Sequence, residues 1–195
     1  MGDSNAVFEA GQSLVELFKR NMTPQPIVSE EAIGLCSPHD PEDYQLTVWI
    51  YNIESVNETG VNQGFLPDTA NDGIERYAPM QLRLHALVSA HSKAPAQRRL
   101  TDEYRIIGRA IQIVHDTPAL SAEQLSGSLA VGGTSVQLQH VNLNSDELTK
   151  IWNNSGKMIK PSFGVQISAV TILSNRTRTT AKRVSSATIG LINRS

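Results

Sequence analysis

Apolar residues along this chain recur with two periods, and the changes between them mark the elements. Residues 4–20, SNAVFEAGQSLVELFKR, place Val7, Gly11, Leu14, Val15 and Phe18 on one helical stripe with polar residues opposite. Ser4 is read as the N-cap, and Glu9 sits early, where a helix favours negative charge. Thr23-Pro24-Gln25-Pro26 stops this helix, because proline lacks an amide donor and restricts the residue before it. A short strand is expected near Ile33–Cys36.

The period then becomes two. In QLTVWIYNI (Gln45–Ile53), Leu46, Val48 and Ile50 alternate with Thr47, Trp49 and Tyr51. Strand character returns in PMQLRLHALVSAH (Pro79–His91) and in TSVQLQHVNL (Thr134–Leu143), which follows a Gly132-Gly133 turn. PSFGVQISAVTIL (Pro161–Leu173) carries Phe163, Val165 and Ile167 on one face. Between these runs a helix is expected from a cap at Thr101 or Asp102, with Ile107, Ala110, Ile111 and Val114 on its inner side. A second helix starts at Asn144, where Glu147 three residues later completes a capping box and Leu143 and Leu148 flank it. Leu148, Ile151 and Trp152 face inward from it.

Strands and helices interleave without strict βαβ alternation. This predicts an α/β (α+β) fold, one domain with a mixed or largely antiparallel sheet flanked by helices. Residues 1–174 form this domain, and residues 175–195 form a basic C-terminal arm. Two polar connections interrupt the pattern, Glu54 to Ala78 and the stretch SKAPAQRR. The first is long enough to be a binding loop, and Asn57, Glu58, Asn62, Gln63, Phe65, Asp68 and Asp72 are its candidate contact residues.

At 195 residues with 39% hydrophobic content the chain buries a real core, and no apolar run approaches a membrane span. The start lacks a secretory signal, and MGDSNA misses the myristoylation pattern, so synthesis and assembly in the cytoplasm are expected. Charge is distributed very unevenly. Residues 1–147 hold all 19 acidic and 9 basic residues, a net of −10, and residues 148–195 hold 8 basic and no acidic residues. Such a split drives association between unlike faces, recruits a charged partner or is neutralised within the fold.

Catalytic signals are weak. The five histidines lack paired metal-ligand spacing and Cys36 has no CxxC companion. Cys36 with His39 is the one conceivable thiol–base pair, and His115-Asp116 reads as a helix end. No catalytic residue, cofactor or metal is assigned. The basic arm admits a nucleic-acid-binding module, yet no aromatic residue follows Phe163 to interleave with its charges.

Five segments occur together in order: LTVWIYNIESVNET, APMQLRLHALVSAHS, DEYRIIGRAIQIVHDTPAL, SDELTKIWNN and PSFGVQISAVTIL. Over residues 5–174 they resemble the cap, or tail-terminator, proteins of phage-tail-like contractile injection systems. The resemblance implies a tail-terminator-like fold and a non-enzymatic role: a hexameric ring that closes the inner tube and contacts the last sheath ring, distal to the baseplate. The partners implied are further copies of the chain, sheath protein and inner tube protein, with no membrane contact. Two features depart from the family pattern, the length and polarity of residues 54–78 and the arm beyond Leu173. In that arm Arg176, Arg178, Lys182 and Arg183 are expected to steer docking. Val184, Ile189, Leu191 and Ile192 are expected to pair with a sheath strand or a neighbouring cap strand.

Overall fold

The computed structural model describes residues 4–56, 64–68, 71, 73–131, 135–153 and 157–179. Its main sheet runs β1-β2-β5-β8-β7-β6, made of Ile33–Leu35, Leu46–Ser55, Met80–Ala90, Ser162–Ile172, Val136–Val141 and Ala119–Leu120. Only the β1–β2 pairing is parallel; the others are antiparallel, in keeping with the mixed, largely antiparallel sheet expected. Two helices cover one face. α1 (Ala6–Met22) lies over β1, β2 and β8, and α2 (Ala96–Asp116) over β5, β8 and β7.

Alternation explains the core. Leu84, Ala86 and Val88 of β5 share a face with Val48 and Ile50 of β2 and with Phe163, Val165 and Ile167 of β8. α1 buries Leu14, Val15 and Phe18 against that face, and each such side chain contributes roughly 1.5–3 kcal/mol relative to exposure. The helix can approach closely because Gly11 stands where it meets the sheet. A Cβ there would lie 3.0 Å from Leu35 Cδ2 and 3.1 Å from Ile50 Cδ1. The alternation of β8 breaks after Ile167, and a bulge repairs it. Ile167 pairs with Leu84 and Val170 with Leu82, so β8 has one extra residue between them. Ala169 carries the cost at φ 63, and Val170 and Ile172 return to the inner side.

Several elements differ from the expectation. α1 is preceded by Asn5, not Ser4; Glu9 lies in its first turn as expected, and its carboxylate also serves another helix. Its Oε2 accepts from Ser128 N (3.0 Å), Ser128 Oγ (2.5 Å) and Leu129 N (3.3 Å), at the start of α3 (Gly127–Val131). Gly127, at φ 61, leaves room for that carboxylate. α2 begins six residues before Asp102, behind Pro95. The residues Ala-Gln-Arg-Arg-Leu are charged but are good helix formers, and proline fits a helix entry. Asp102 instead accepts a hydrogen bond from Ser92 Oγ. The Asn144 capping box is present as expected at α4 (Ser145–Trp152), with both bonds at 2.9 Å. The Gly132-Gly133 turn lies outside the described residues.

At the end of the main sheet where β5 finishes and β8 begins lies a buried polar cluster. Glu103, on the inner side of α2, is 2% exposed; Lys160 Nζ donates to it at 2.7 Å and Ser92 N at 3.3 Å. The His91 Nε2 lies 3.2 Å from Thr47 Oγ1. Burial holds the His91 imidazole down at about 4, helped by the Lys160 and Lys157 charges and opposed by Glu103. Between pH 6.5 and about 4 the unfolded chain therefore binds a proton that the folded chain refuses. The His91 contribution to stability is complete above pH 6.5, falls as pH falls through that window, and levels off below it. Urea midpoints from pH 7.5 to 4 are expected to drop more for the wild type than for His91→Gln. Parallel profiles for the two proteins would refute this.

Candidate assembly surface

The polar connection between β2 and β5 is not a loop throughout. Phe65–Pro67 forms β3 and Ile74–Tyr77 forms β4, an antiparallel pair. The third strand of this second sheet, β9 (Thr177–Thr179), comes from the start of the basic arm and pairs antiparallel with β4. The order is β3-β4-β9, so the loop and the arm, separate candidates in the sequence, form one structure. It projects from the end of the main sheet where β4 runs into β5 and β8 runs into β9.

Register decides which side chains meet. Phe65 pairs with Tyr77, Glu75 with Arg178 and Arg76 with Thr177, while Tyr77 N donates to Arg176 O at 2.9 Å. One face thus carries Phe65, Tyr77, Glu75, Arg176 and Arg178. The Arg176 guanidinium lies 4.8 Å from the Tyr77 ring centroid and 5.9 Å from that of Phe65; Arg178 lies 4.5 Å from Phe65. Phe65 and Tyr77 meet edge to face at 5.6 Å. Arg178 Nη2 also pairs with Glu75 Oε2 at 2.6 Å. On the other face Arg76 ties the sheet to its stem. It donates to Asp68 Oδ2 at 2.9 Å through Nη2 and to Ser174 O at 2.8 Å through Nη1.

Four of the sequence candidates, Phe65, Asp68, Arg176 and Arg178, are therefore brought together. Asn57, Glu58, Asn62, Gln63, Asp72, Lys182, Arg183, Val184, Ile189, Leu191 and Ile192 lie outside the described residues. Glu75, Arg76 and Tyr77 were missed, although Ile74 and Tyr77, both residue types favoured in strands, were a usable signal. The arrangement also bears on the nucleic-acid alternative. Aromatic rings do interleave with the arm's charges, but Arg176 and Arg178 already lie over them, so bases would compete with those guanidiniums for the ring faces.

The remaining chemical candidate is structural in its surroundings. The Cys36 thiol donates to Asp40 O at 2.9 Å, and burial together with the Glu42 and Asp40 charges pushes its pKa up. That is the opposite of what activates a thiolate. The His39 ring packs edge-on between Trp49 (5.6 Å) and Trp152 (5.3 Å). Among the described residues no group of three His, Cys, Asp or Glu side chains is placed to hold a metal ion, and no helix is long and apolar enough to cross a membrane.

This fold is similar to two solved assemblies. The sheath/tube terminator of PVC, an extracellular contractile injection system, in its extended state superposes with a TM-score of 0.54 at 11% identity, over 77% of this chain and 50% of that one. The tube-terminating cap of the anti-feeding prophage AFP superposes with a TM-score of 0.58 at 15% identity, over 92% of this chain and 59% of that one. The chain thus spans about half to three-fifths of the length of each. No curated protein matches it by sequence. The family described as the Pvc16 N-terminal domain matches residues 9–186, which takes in both sheets, α1 from Glu9 onward, the other three helices described and the first part of the arm, and the chain belongs to that family.

Proposed function

We propose that this chain is a structural cap of a contractile injection particle. It works as a ring of six copies, distal to the baseplate, that closes the inner tube, contacts the last sheath ring and ends growth of both polymers. The observation that carries this reading is the likeness of the fold to two tube or sheath terminators over 77% and 92% of the chain. The uneven charge supports it, because a ring closed by head-to-tail contacts needs two unlike faces on each protomer. The partners are then sheath protein, tube protein and further copies of the chain.

Within this reading the domain of residues 1–174 supplies the ring and the arm does the docking. Removing residues 176–195 would strip β9 from β4 and expose that strand's edge, whereas removing residues 180–195 leaves the second sheet whole. Particles assembled with the 180–195 deletion are expected to have uncontrolled length by negative-stain microscopy, although the deleted protein folds with an unchanged melting temperature. Normal-length particles would refute the docking role of the arm. Six-fold rings of the purified full-length protein are expected in the same microscope, and particles that end normally without this chain would refute the cap reading itself.

A further inference from the structure

Among the described residues, the edge strand β7 is covered along only half its length. β6 pairs with Val136 and Gln137, and Pro118 O accepts from Leu138 N at 2.9 Å; no described strand continues along Gln139–Val141. Because Leu138 N points out of the sheet, so do the backbone N–H and C=O of His140, two residues on. Its side chain is exposed and stacks on Phe163 at 5.5 Å on the helix-covered face.

α2 overlooks this open edge with an apolar flank. Leu100, Tyr104, Ile107 and Ile111 recur at helical spacing; Leu100 is 53% and Tyr104 60% exposed, and the two isoleucines are half-buried. The opposite flank is fixed against α1, since Arg109 Nε and Nη2 both donate to Asn21 O. α2 sits on the β7 side of α1, so the apolar flank faces the open edge. An unpaired strand edge beside an exposed aromatic and aliphatic helix flank is a receptor for one extended strand. Backbone groups would provide affinity and alternate side chains specificity. β1, the other outer strand of this sheet, is only three residues long.

We propose that this groove receives residues 187–192 of a second copy of the chain, so that each ring member docks its arm on the next. The inference rests on the ring reading above. Two features select this occupant. Ala187, Ile189 and Leu191 alternate with Thr188 and Gly190, offering one apolar side to Leu100 and Tyr104. The segment lies between Arg183 and Arg194 with no acid, whereas β7 leads into the α4 start, where Asp146 and Glu147 are exposed carboxylates. The eight residues from Thr179 to Ala187 span up to roughly 26 Å when extended, enough to reach across a protomer boundary.

The test is disulfide trapping in the full-length chain with Cys36→Ser. His140→Cys is combined in turn with Ala187→Cys, Ile189→Cys or Leu191→Cys, since directly opposed strand residues lie within disulfide reach. At least one pair is expected to give reducible multiples of 21.3 kDa on a non-reducing gel. Gln139→Cys, whose side chain points to the other face, is expected to give none, and adding Tyr104→Asp is expected to reduce the trapped fraction at least tenfold. Disulfides formed only within one chain, or none between chains, would overturn the proposal. If six-fold rings are still seen without trapping, the ring reading stands and this contact alone falls.

Discussion

Lys160→Ala is expected to lower the unfolding free energy by about 3 kcal/mol, the low end for stranding one partner of a buried ion pair. The low end applies because Lys160 is itself 29% exposed, so water can screen part of the loss. Glu103 has no such relief: it sits on the inner side of α2, and without Lys160 its carboxylate keeps only the Ser92 amide as a donor among the described residues. For a chain of this size the change corresponds to a melting temperature roughly 6–12 °C lower. The double variant Glu103→Leu/Lys160→Met is expected to regain most of the loss, since apolar replacement of both partners removes the desolvation cost along with the attraction. Thermal unfolding of the three proteins checks this. A Lys160→Ala shift below 2 °C would mean that water already solvates Glu103.

Trp152→Ala is expected to cost about 3–5 kcal/mol, the range for emptying an aromatic site in a packed interior. Trp152 is 2% exposed and is the buried anchor of α4, an eight-residue helix too short to persist without packing. It also holds His39 edge-on, and His39 in turn meets Trp49 of β2. The damage should therefore be local. Amides of residues 145–152 are expected to exchange at least a hundredfold faster while those of β5 and β8 keep their protection. Trp152→Phe is expected to retain more than half of the lost stability. Uniform loss of protection across β5 and β8 would show that this cluster supports the whole sheet and not α4 alone.

The two helices and the long strands were legible because each carries its burial pattern in its own residues. The 3.6-residue stripe of α1 and the alternation of β2, β5 and β8 report which side faces a core without naming the partner. Asn144 and Glu147 announce α4 because both halves of a capping box lie within four residues. The early start of α2 was misread for a related reason: the polarity of Gln97-Arg98-Arg99 suggested a loop, while their helical propensity pointed the other way.

What could not be read locally depends on contacts between distant residues. β3 and β4 have three and four residues each, and a two-stranded ribbon of that length has little stability without a third strand. That strand arrives from Thr177–Thr179, about a hundred residues later. Glu9 sits in the first turn of its own helix, as its position indicates, but only the fold places Gly127 and Ser128 against its carboxylate. The surface follows the same division. Local pattern settled the fold class, the core strands and the basic character of the arm. Folding settled that Arg176 and Arg178 meet Phe65 and Tyr77, and that no described strand covers the second half of β7. Residue spacing encodes periodicity, whereas sheet order and register follow from the shared burial of segments far apart in the chain.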